Sequence, residues 1–393
     1  MRIYVPLLHD LHRRNWRLSG CLDDLRKRGH VVTEEDRPIP RFRRLRAAFR
    51  VASMVAREPG SRTYQNKLSR LRGGARLQAS VWRRWRRMGR DPEATAAAIE
   101  GHLPVSVKWK TRMMGPRQNL LLWPTMIHMD AVDNDVVKAA RALGIPVLAA
   151  VSSWDTLTTK GGLLVRPDRL MVWGEVSARH AVERHGFAPA DVFPTGPPHF
   201  VPYEGGLSAS RGSVLLVAGT SIHFWAEELQ MVATLGQHFP GRVLWRPHPR
   251  RLGERLQAPR GVLMDARLGW GSDVAAVRAS LDASCGVVAA FSTVVIEAAL
   301  SGRPSALIGF GGSEHSGALL DHAAWEHMAE VAAWPSVETM MDLEQLTRWC
   351  ALALDGRLAH DPETLRACAL AVANGRPGIW DRIAAAVGSF TVL

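Results

Sequence analysis

An arginine and a histidine stand in a rigid turn in the second half of the chain. The turn is Arg246-Pro247-His248-Pro249, and its two prolines fix the backbone, so that the imidazole is aimed rather than free. A buried strand is predicted at 242–245, and a guanidinium and an imidazole just beyond its carboxyl end suit the phosphate of a leaving group. We therefore predict that Arg246 and His248 bind donor phosphate and that His248 also acts in catalysis by offsetting leaving-group charge. The ordinary alternative is a proline-rich surface turn with an incidental histidine.

Two hydroxyl side chains, Ser292 and Thr293, follow a strand-like run at 286–290 and open a predicted helix. Backbone amides at a helix N-terminus, together with hydroxyls, form a phosphate site. Glu297 lies one turn further along, where its carboxylate could accept hydrogen bonds from ribose hydroxyls. The alternative is an ordinary Ser/Thr N-cap with a glutamate near the positive end of the helix. A third and weaker phosphate contact is predicted in the turn that follows the strand at 213–218, at Gly219, Thr220 and Ser221.

The first half of the chain offers candidate bases. A hydroxyl acceptor needs a carboxylate or an imidazole to take its proton as the new bond forms. Asp155 and His9, which each follow a predicted strand, are the leading candidates, and Asp130 is the third. Beside Asp155, Ser153 could contact an acceptor, and Trp154 could stack on a sugar or a base. A helix cap or a turn is the alternative role for each of these residues.

These residues depend on the elements that would position them. Short apolar runs alternate with amphipathic stretches, which is the pattern of βαβ units, and continuous apolar runs are typical of buried parallel strands. The pattern breaks near Gly196 and restarts at Ser213 after a polar, glycine-rich stretch. The sequence thus predicts an α/β protein of two doubly wound, Rossmann-like domains that face each other across a ligand-binding cleft. The predicted parts are an acceptor-side domain at 1–200 with an arginine-rich insertion near 40–118, a linker at 201–212, a nucleotide-donor domain at 213–360, and C-terminal helices at 361–393 that pack back across the first domain.

Several of these motifs resemble a bacterial GT-B family of surface-carbohydrate transferases. The resemblance rests on Ser-Trp-Asp at 153–155 before a Thr-Lys-Gly turn, Pro-Asp-Arg at 167–169, Val-Trp-Gly-Glu at 172–175, His-Gly-Phe at 185–187 and Pro-Thr-Gly-Pro at 194–197. The second half is similar to capsule polymerases, CDP-glycerol glycerophosphotransferases and polysialyltransferases, in which a His-Pro motif and a Ser/Thr pair hold the donor phosphates.

That resemblance covers roughly residues 119–310, in pieces, and implies donor-phosphate roles for His248, Ser292 and Thr293. Two departures stand out. The usual Ser-Trp-Asp-Asn of the family reads Ser-Trp-Asp-Thr here, and the acidic-Gly base motif of the polysialyltransferases is not recognisable. The resemblance therefore leaves the catalytic base and the donor type open.

The formal net charge of +13 predicts attraction to polyanions. Much of the excess lies at 41–90, where arginines are interleaved with Phe42, Phe49, Trp82 and Trp85. A solvated basic surface and an anionic membrane patch are the leading interpretations, because basic residues beside aromatic rings suit a membrane interface. A nucleic-acid patch is the weaker one, since none of the usual modules is visible. Four scattered cysteines, no signal-peptide pattern and no apolar run of roughly 18–20 residues predict a cytoplasmic protein, peripheral on the inner face of the plasma membrane if the basic stretch binds lipid.

Together these features predict a glycosyltransferase that moves a sugar, or a glycerol-phosphate-like unit, from a nucleotide-activated donor to a hydroxyl acceptor such as a lipid-linked or surface glycan. The donor would be UDP-, GDP-, CDP- or CMP-linked. No Asp-x-Asp motif stands in a suitable loop, so we expect no cofactor and no required metal ion. The alternatives are a nucleotide-sugar epimerase of the same fold and a non-catalytic scaffold that binds glycan or polyanion.

Overall fold

The chain folds into two compact units, each built around one parallel six-stranded sheet. The first unit comprises Met1–His199 and Gly378–Leu393, and the second comprises Phe200–Pro377. The predicted α/β class with two Rossmann-like domains is confirmed by these sheets and their flanking helices. The computed structural model describes residues 1–8, 10–36, 44–115, 117–127, 132–208, 211–220, 225–248, 251, 256–265, 273–313 and 317–390.

The sheet of the first unit has the strand order β2-β1-β3-β4-β5-β6, with all neighbours parallel. The central strands are continuous apolar runs that are buried along their whole length, because helices cover both faces of a parallel sheet. The edge strand β2 is polar and partly exposed. The strands are β1 Arg2–Leu7, β2 Val31–Asp36, β3 Leu120–Trp123, β4 Val147–Ala150, β5 Arg169–Val172 and β6 Val192–Pro194.

Helices of the first unit flank this sheet, and five of them (α3 to α7) form an insertion between β2 and β3. Arg46 on α3 anchors the insertion, because its guanidinium lies 3.1 Å from Glu100 and 2.7 Å from Asp135 in a buried network. The helices are α1 Asp10–His12, α2 Cys21–Lys27, α3 Arg44–Ala56, α4 Arg62–Ser69, α5 Gly73–Arg87, α6 Pro92–His102, α7 Val107–Met113, α8 Val132–Ala142, α9 Thr156–Thr159 and α10 Glu175–His185, with a π-helix at Arg13–Leu18 and a 3-10 helix at Pro189–Asp191.

The sheet of the second unit has the order β14-β11-β10-β7-β8-β9. Counted along the chain from its own first strand, this is the Rossmann order 3-2-1-4-5-6, and the connection reverses direction between β7 and β10. Ligands of such sheets bind outside the carboxyl ends of the strands at this switch point. The strands are β7 Val214–Ala218, β8 Val243–Arg246, β9 Val262–Met264, β10 Ser284–Ala289, β11 Ser305–Ile308 and β14 Val337–Met340, and β12 Gly312–Ser313 pairs with β13 Gly317–Ala318 in a small antiparallel hairpin.

The second unit begins with a 3-10 helix at Pro198–Tyr203. Residues 201–212, predicted as a linker, therefore belong largely to this unit, because the aromatic ring of Tyr203 is buried in it. The helices of the unit are α11 Trp225–His238, α12 Asp273–Asp282, α13 Val294–Leu300, α14 Leu320–Ala323, α15 Glu326–Ala332, α16 Leu343–Asp355 and α17 Pro362–Val372.

The C-terminal helix α18, Ile379–Gly388, returns to the first unit. Asp381 lies 2.6 Å from Arg28, and the Nε of Arg382 donates to the carbonyl of Thr195 at 2.9 Å. The prediction for residues 361–393 thus differs from the structure in its first part. Helix α17 packs against α13 and belongs to the second unit, because Arg366 on α17 donates to the carbonyl at the end of α13.

Candidate functional site

Three turns of the second unit leave the carboxyl ends of the adjacent strands β8, β7 and β10. Gly219, which follows β7, donates its N–H to the carbonyl of Arg246 at 2.8 Å. A Cβ at this glycine would lie 2.6 Å from the backbone nitrogen of His248 and 2.9 Å from the Cα of Pro247. Only glycine therefore lets the first two turns pack directly against each other.

A buried glutamate on α11 fixes the turn after β7. Both the N–H and the hydroxyl of Thr220 donate to the Oε2 of Glu228 at 2.6 Å, and Trp245 donates to its Oε1 at 2.9 Å. Burial raises the pKa of Glu228, while these three donors oppose that shift. The hydroxyl of Thr220, predicted to contact phosphate, thus donates its hydrogen bond to Glu228. Ser221, the third residue of this predicted contact, lies outside the described residues.

The turn after β8 carries two residues predicted to contact phosphate, Arg246 and His248, and they lie in different surroundings. Arg246 is 6% exposed, and its guanidinium lies 2.6 Å from Asp265, which also accepts from Ser280. Side chains alternate between the two faces of a strand, so Trp245 points toward α11 and Arg246 toward α12. The structure therefore places Arg246 in a buried ion pair, whereas His248 is partly exposed at the turn itself.

The turn after β10 carries Ser292 and Thr293, and both side chains are partly exposed. Thr293 is the N-cap residue of α13, but its backbone is already helical (φ −54°, ψ −28°) and its side chain makes no capping hydrogen bond. A capping serine or threonine normally has an extended backbone and accepts a bond from the helix amides. The N-cap alternative therefore fails for Thr293. Because β10 flanks the switch point, these two hydroxyls lie where a Rossmann-like sheet binds its ligand.

The carboxylate of Glu297 is oriented by Tyr203, which lies in the segment predicted as a linker. The hydroxyl of Tyr203 donates to the Oε2 of Glu297 at 2.8 Å. Tyr203 is 1% exposed, packs edge-on against Phe200 and accepts a hydrogen bond from Arg366 at its carbonyl. The carboxylate is thus oriented in the first turn of α13, which is the position predicted for a ribose contact.

An aromatic cluster that the sequence analysis does not predict lies beside the turn after β10. The ring centroid of His322 lies 6.0 Å from that of Phe291 and 4.3 Å from that of Trp325. Phe291 directly precedes Ser292, so the cluster borders the same edge of the sheet. Nothing local in the sequence signals it, because residues 291 and 322 are brought together only by the packing of α14.

The first unit contains the predicted catalytic bases and acceptor contacts. The Oδ2 of Asp155 accepts from the hydroxyl of Thr159 at 2.8 Å, and Ser153 is partly exposed. Trp154 is 6% exposed, so its ring packs inside the unit and leaves little face for a sugar or a base. The other two base candidates, His9 and Asp130, lie outside the described residues.

The described residues were also compared with the requirements of a metal site and of a membrane-spanning helix. Among the described residues, no group of three His, Cys, Asp or Glu side chains is arranged to hold a metal ion. Over the same part of the chain, no helix combines the length and the apolar character that crossing a membrane requires.

Solved structures identify the fold. The chain is similar to the UDP-GlcNAc 2-epimerase of Neisseria meningitidis bound to UDP-GlcNAc, with a TM-score of 0.55 and 10% identity over 99% of this chain and 100% of that one. It is likewise similar to the UDP-GlcNAc 2-epimerase of Methanocaldococcus jannaschii, with a TM-score of 0.53 and 10% identity over 99% and 100% of the two chains. The glycosyltransferase UGT2 of Phytolacca americana follows at a TM-score of 0.49 and 10% identity, over 99% of each chain.

No family model and no curated protein sequence matches the chain. At these identities the likeness shows the fold alone. The protein has the GT-B fold of two Rossmann-like domains, as do the UDP-GlcNAc 2-epimerases that are similar to it.

Proposed function

We propose that this protein is a glycosyltransferase that moves a sugar, or a glycerol-phosphate-like unit, from a nucleotide-activated donor to a hydroxyl acceptor without a required metal ion. The observation that carries the proposal is the meeting of the turns after β7, β8 and β10 at the switch point of the second sheet. A phosphate bound there would meet backbone amides, the hydroxyls of Ser292 and Thr293, and the imidazole of His248.

The oriented carboxylate of Glu297 supports a nucleotide rather than a bare phosphate. It lies one turn into α13, so it would meet the ribose while the start of the helix meets the diphosphate. The aromatic cluster of Phe291, His322 and Trp325 would offer ring faces to the base. The neighbours crystallised with UDP-GlcNAc and UDP support a nucleotide sugar as the partner. Asp155 and His9 remain the proposed bases that deprotonate the acceptor.

The acceptor side of the proposal rests on α5. This helix has five arginines and no acidic residue, and its exposed face carries Leu77 and Val81 beside Arg84 and Arg87, with the exposed Met88 directly after its last residue. An amphipathic helix with apolar and cationic residues on one exposed face binds the headgroup region of anionic bilayers. We infer that α5 rests on such a membrane and that the acceptor is a lipid-linked or surface glycan of the kind made by capsule-type transferases.

Nucleotide binding tests the donor site. Calorimetry with UDP, GDP, CDP and CMP, without metal, compares wild type with His248→Ala and Thr293→Ala. A matched control is Thr234→Ala, which removes an exposed threonine hydroxyl from α11. We expect one nucleotide to bind selectively in the micromolar range, at least tenfold more weakly to the two site variants and unchanged to the control. If no nucleotide binds at millimolar concentration, the donor-site proposal fails.

Vesicle sedimentation tests the membrane surface. Wild type should sediment with phosphatidylglycerol vesicles but not with phosphatidylcholine vesicles, and less so at high salt. Leu77→Ser with Val81→Ser should reduce that binding, whereas Val107→Ser, at a 76% exposed position on α7, should not. Equal loss in both variants, or binding to neutral vesicles alone, contradicts the role of α5.

An epimerase is the second candidate, because the UDP-GlcNAc 2-epimerases of Methanocaldococcus jannaschii and Neisseria meningitidis are similar to this chain at TM-scores of 0.53 and 0.55. The two candidates separate in one assay. An epimerase exchanges the C2 proton of UDP-GlcNAc with deuterated water in the absence of an acceptor, and proton NMR detects that exchange. A transferase leaves this proton in place and turns over only when an acceptor is added.

A further inference from the structure

A cavity of about 320 Å³ lies at the amino-terminal edge of the second sheet, the edge opposite to the donor turns. Its wall includes Cys285 near the start of β10, Pro304 just before β11 and Ser301 just after α13. Helix α13 therefore begins at one edge of the sheet and ends at the cavity, so the two places are separate. A cavity of this size falls at the lower end of the range for small-molecule sites.

The wall of the cavity is cationic. Arg211 and Arg303 line it, and each donates to carbonyls at a helix end, Arg211 to Ala353 and Arg303 to Leu281. Burial is the main cause that lowers the pKa of Arg303, and the nearby charges of Arg278 and Arg211 add to it, while Asp282 opposes them. Arg278 and Arg211 thus place further positive charge near the guanidinium of Arg303.

One hydroxyl in the wall lacks a partner. Ser301 is 1% exposed, and its Oγ has no hydrogen-bond partner. Buried hydroxyls are nearly always bonded, because leaving one unsatisfied costs about 1–3 kcal/mol. Beside it, His360 is fixed by contacts from its two ring nitrogens to Ser336 and to the carbonyl of Gly302. The unpartnered hydroxyl, in a wall that also contains Arg211 and Arg303, indicates that an acceptor from a ligand completes this wall.

We propose that this cavity binds a small organic phosphate at a site distinct from the donor turns. Guanidinium groups match the geometry of phosphate oxygens, and the hydroxyl of Ser301 would donate to a third oxygen. Leu207, Pro304 and Leu358 supply an apolar wall for the carbon skeleton of the ligand. The volume admits a pentose or hexose phosphate.

Calorimetry with ribose 5-phosphate and with inorganic phosphate tests the proposal on wild type, Arg211→Ala and Ser301→Ala. The matched control is Arg348→Ala, which removes an exposed arginine from α16 without touching the cavity. We expect ribose 5-phosphate to bind more tightly than inorganic phosphate. Arg211→Ala should weaken it at least tenfold and Ser301→Ala about fivefold, with Arg348→Ala unchanged.

Ser301→Ala keeps the test decisive if Arg211→Ala fails to fold, because removing an unpartnered hydroxyl leaves the folded state intact. Thermal unfolding should therefore show the same transition for Ser301→Ala as for wild type. His248→Ala separates the two sites, since binding at the cavity should survive in it. Absence of binding at 10 mM probe (about ten thousandfold above 1 μM), equal binding by Ser301→Ala, or loss of binding in His248→Ala alone would overturn the proposal.

Discussion

Replacing Gly219 by alanine tests whether the donor site depends on the packing of two turns. The added Cβ would lie 2.6 Å from the nitrogen of His248 and 2.9 Å from both the carbonyl oxygen of Arg246 and the Cα of Pro247. All three neighbours are backbone atoms, which cannot swing aside. A carbon atom in ordinary contact stands about 3.5 Å or more from such atoms, so the turns must separate by several tenths of an ångström.

We expect this separation to have two measurable effects. Overpacking against fixed backbone costs about 1–3 kcal/mol of folding free energy, which thermal or urea unfolding measures. Displacing the turn that bears His248 should also weaken nucleotide binding at least tenfold, or about 1.4 kcal/mol, in the calorimetric assay. The second effect is the informative one, because many unrelated substitutions produce the first.

Two other glycines of the same unit provide controls. A Cβ at Gly236 on α11 would lie 2.4 Å from the Cγ2 of Val262 and 2.9 Å from the carbonyl of Arg260, so Gly236→Ala also introduces a clash, but away from the donor turns. A Cβ at Gly205 would meet nothing within 4 Å. We expect Gly236→Ala to lose stability without losing nucleotide affinity and Gly205→Ala to lose neither. If Gly219→Ala binds nucleotide as well as wild type does, the reasoning that places the donor at these turns is refuted.

Three further predictions concern buried polar groups. Tyr203→Phe removes the hydrogen bond to Glu297, so nucleotide affinity should fall several-fold in calorimetry, with about 1 kcal/mol lost in unfolding. Asp135→Ala leaves the buried guanidinium of Arg46 without one partner, and denaturant unfolding should show a loss of about 3 kcal/mol. Burial lowers the pKa of His185 to about 3, so between pH 6.5 and 3 the unfolded state binds more protons than the folded state. Wild type should therefore lose about 3 kcal/mol from this group between pH 6.5 and pH 4, and pH-resolved unfolding of His185→Gln should lack that loss.

The strands were predictable because their signal is local. A strand buried on both faces must be apolar at every position, so the strand predicted at 213–218 differs by one residue from the observed Val214–Ala218. The position of the candidate site follows from the same signal. In a parallel sheet every carboxyl end lies at one edge, so turns far apart in sequence must meet there.

Side-chain partners were not predictable, because they depend on packing between distant segments. Tyr203 contacts Glu297 across 94 residues, yet it lies in a stretch whose glycines predict a linker. Arg246, predicted to bind donor phosphate, pairs with Asp265, and the sequence does not reveal that Asp265 lies on the same face of the sheet. Trp154 was read as a stacking surface, whereas its apolar ring fills the interior of the first unit.

Arg246 and Thr220 are each paired with a carboxylate of the second unit, and the physical reason is the same for both. A guanidinium that is 6% exposed must be paired, because an unpaired buried charge costs several kcal/mol, and Asp265 supplies the pair. The buried carboxylate of Glu228 likewise needs hydrogen-bond donors, and the hydroxyl of Thr220 is one of them. Among the described residues of the turns, the imidazole of His248 and the side chains of Ser292 and Thr293 are partly exposed. A donor phosphate at this edge would therefore meet hydroxyls and backbone amides whose directions are set by the turns, so its affinity should depend strongly on turn geometry.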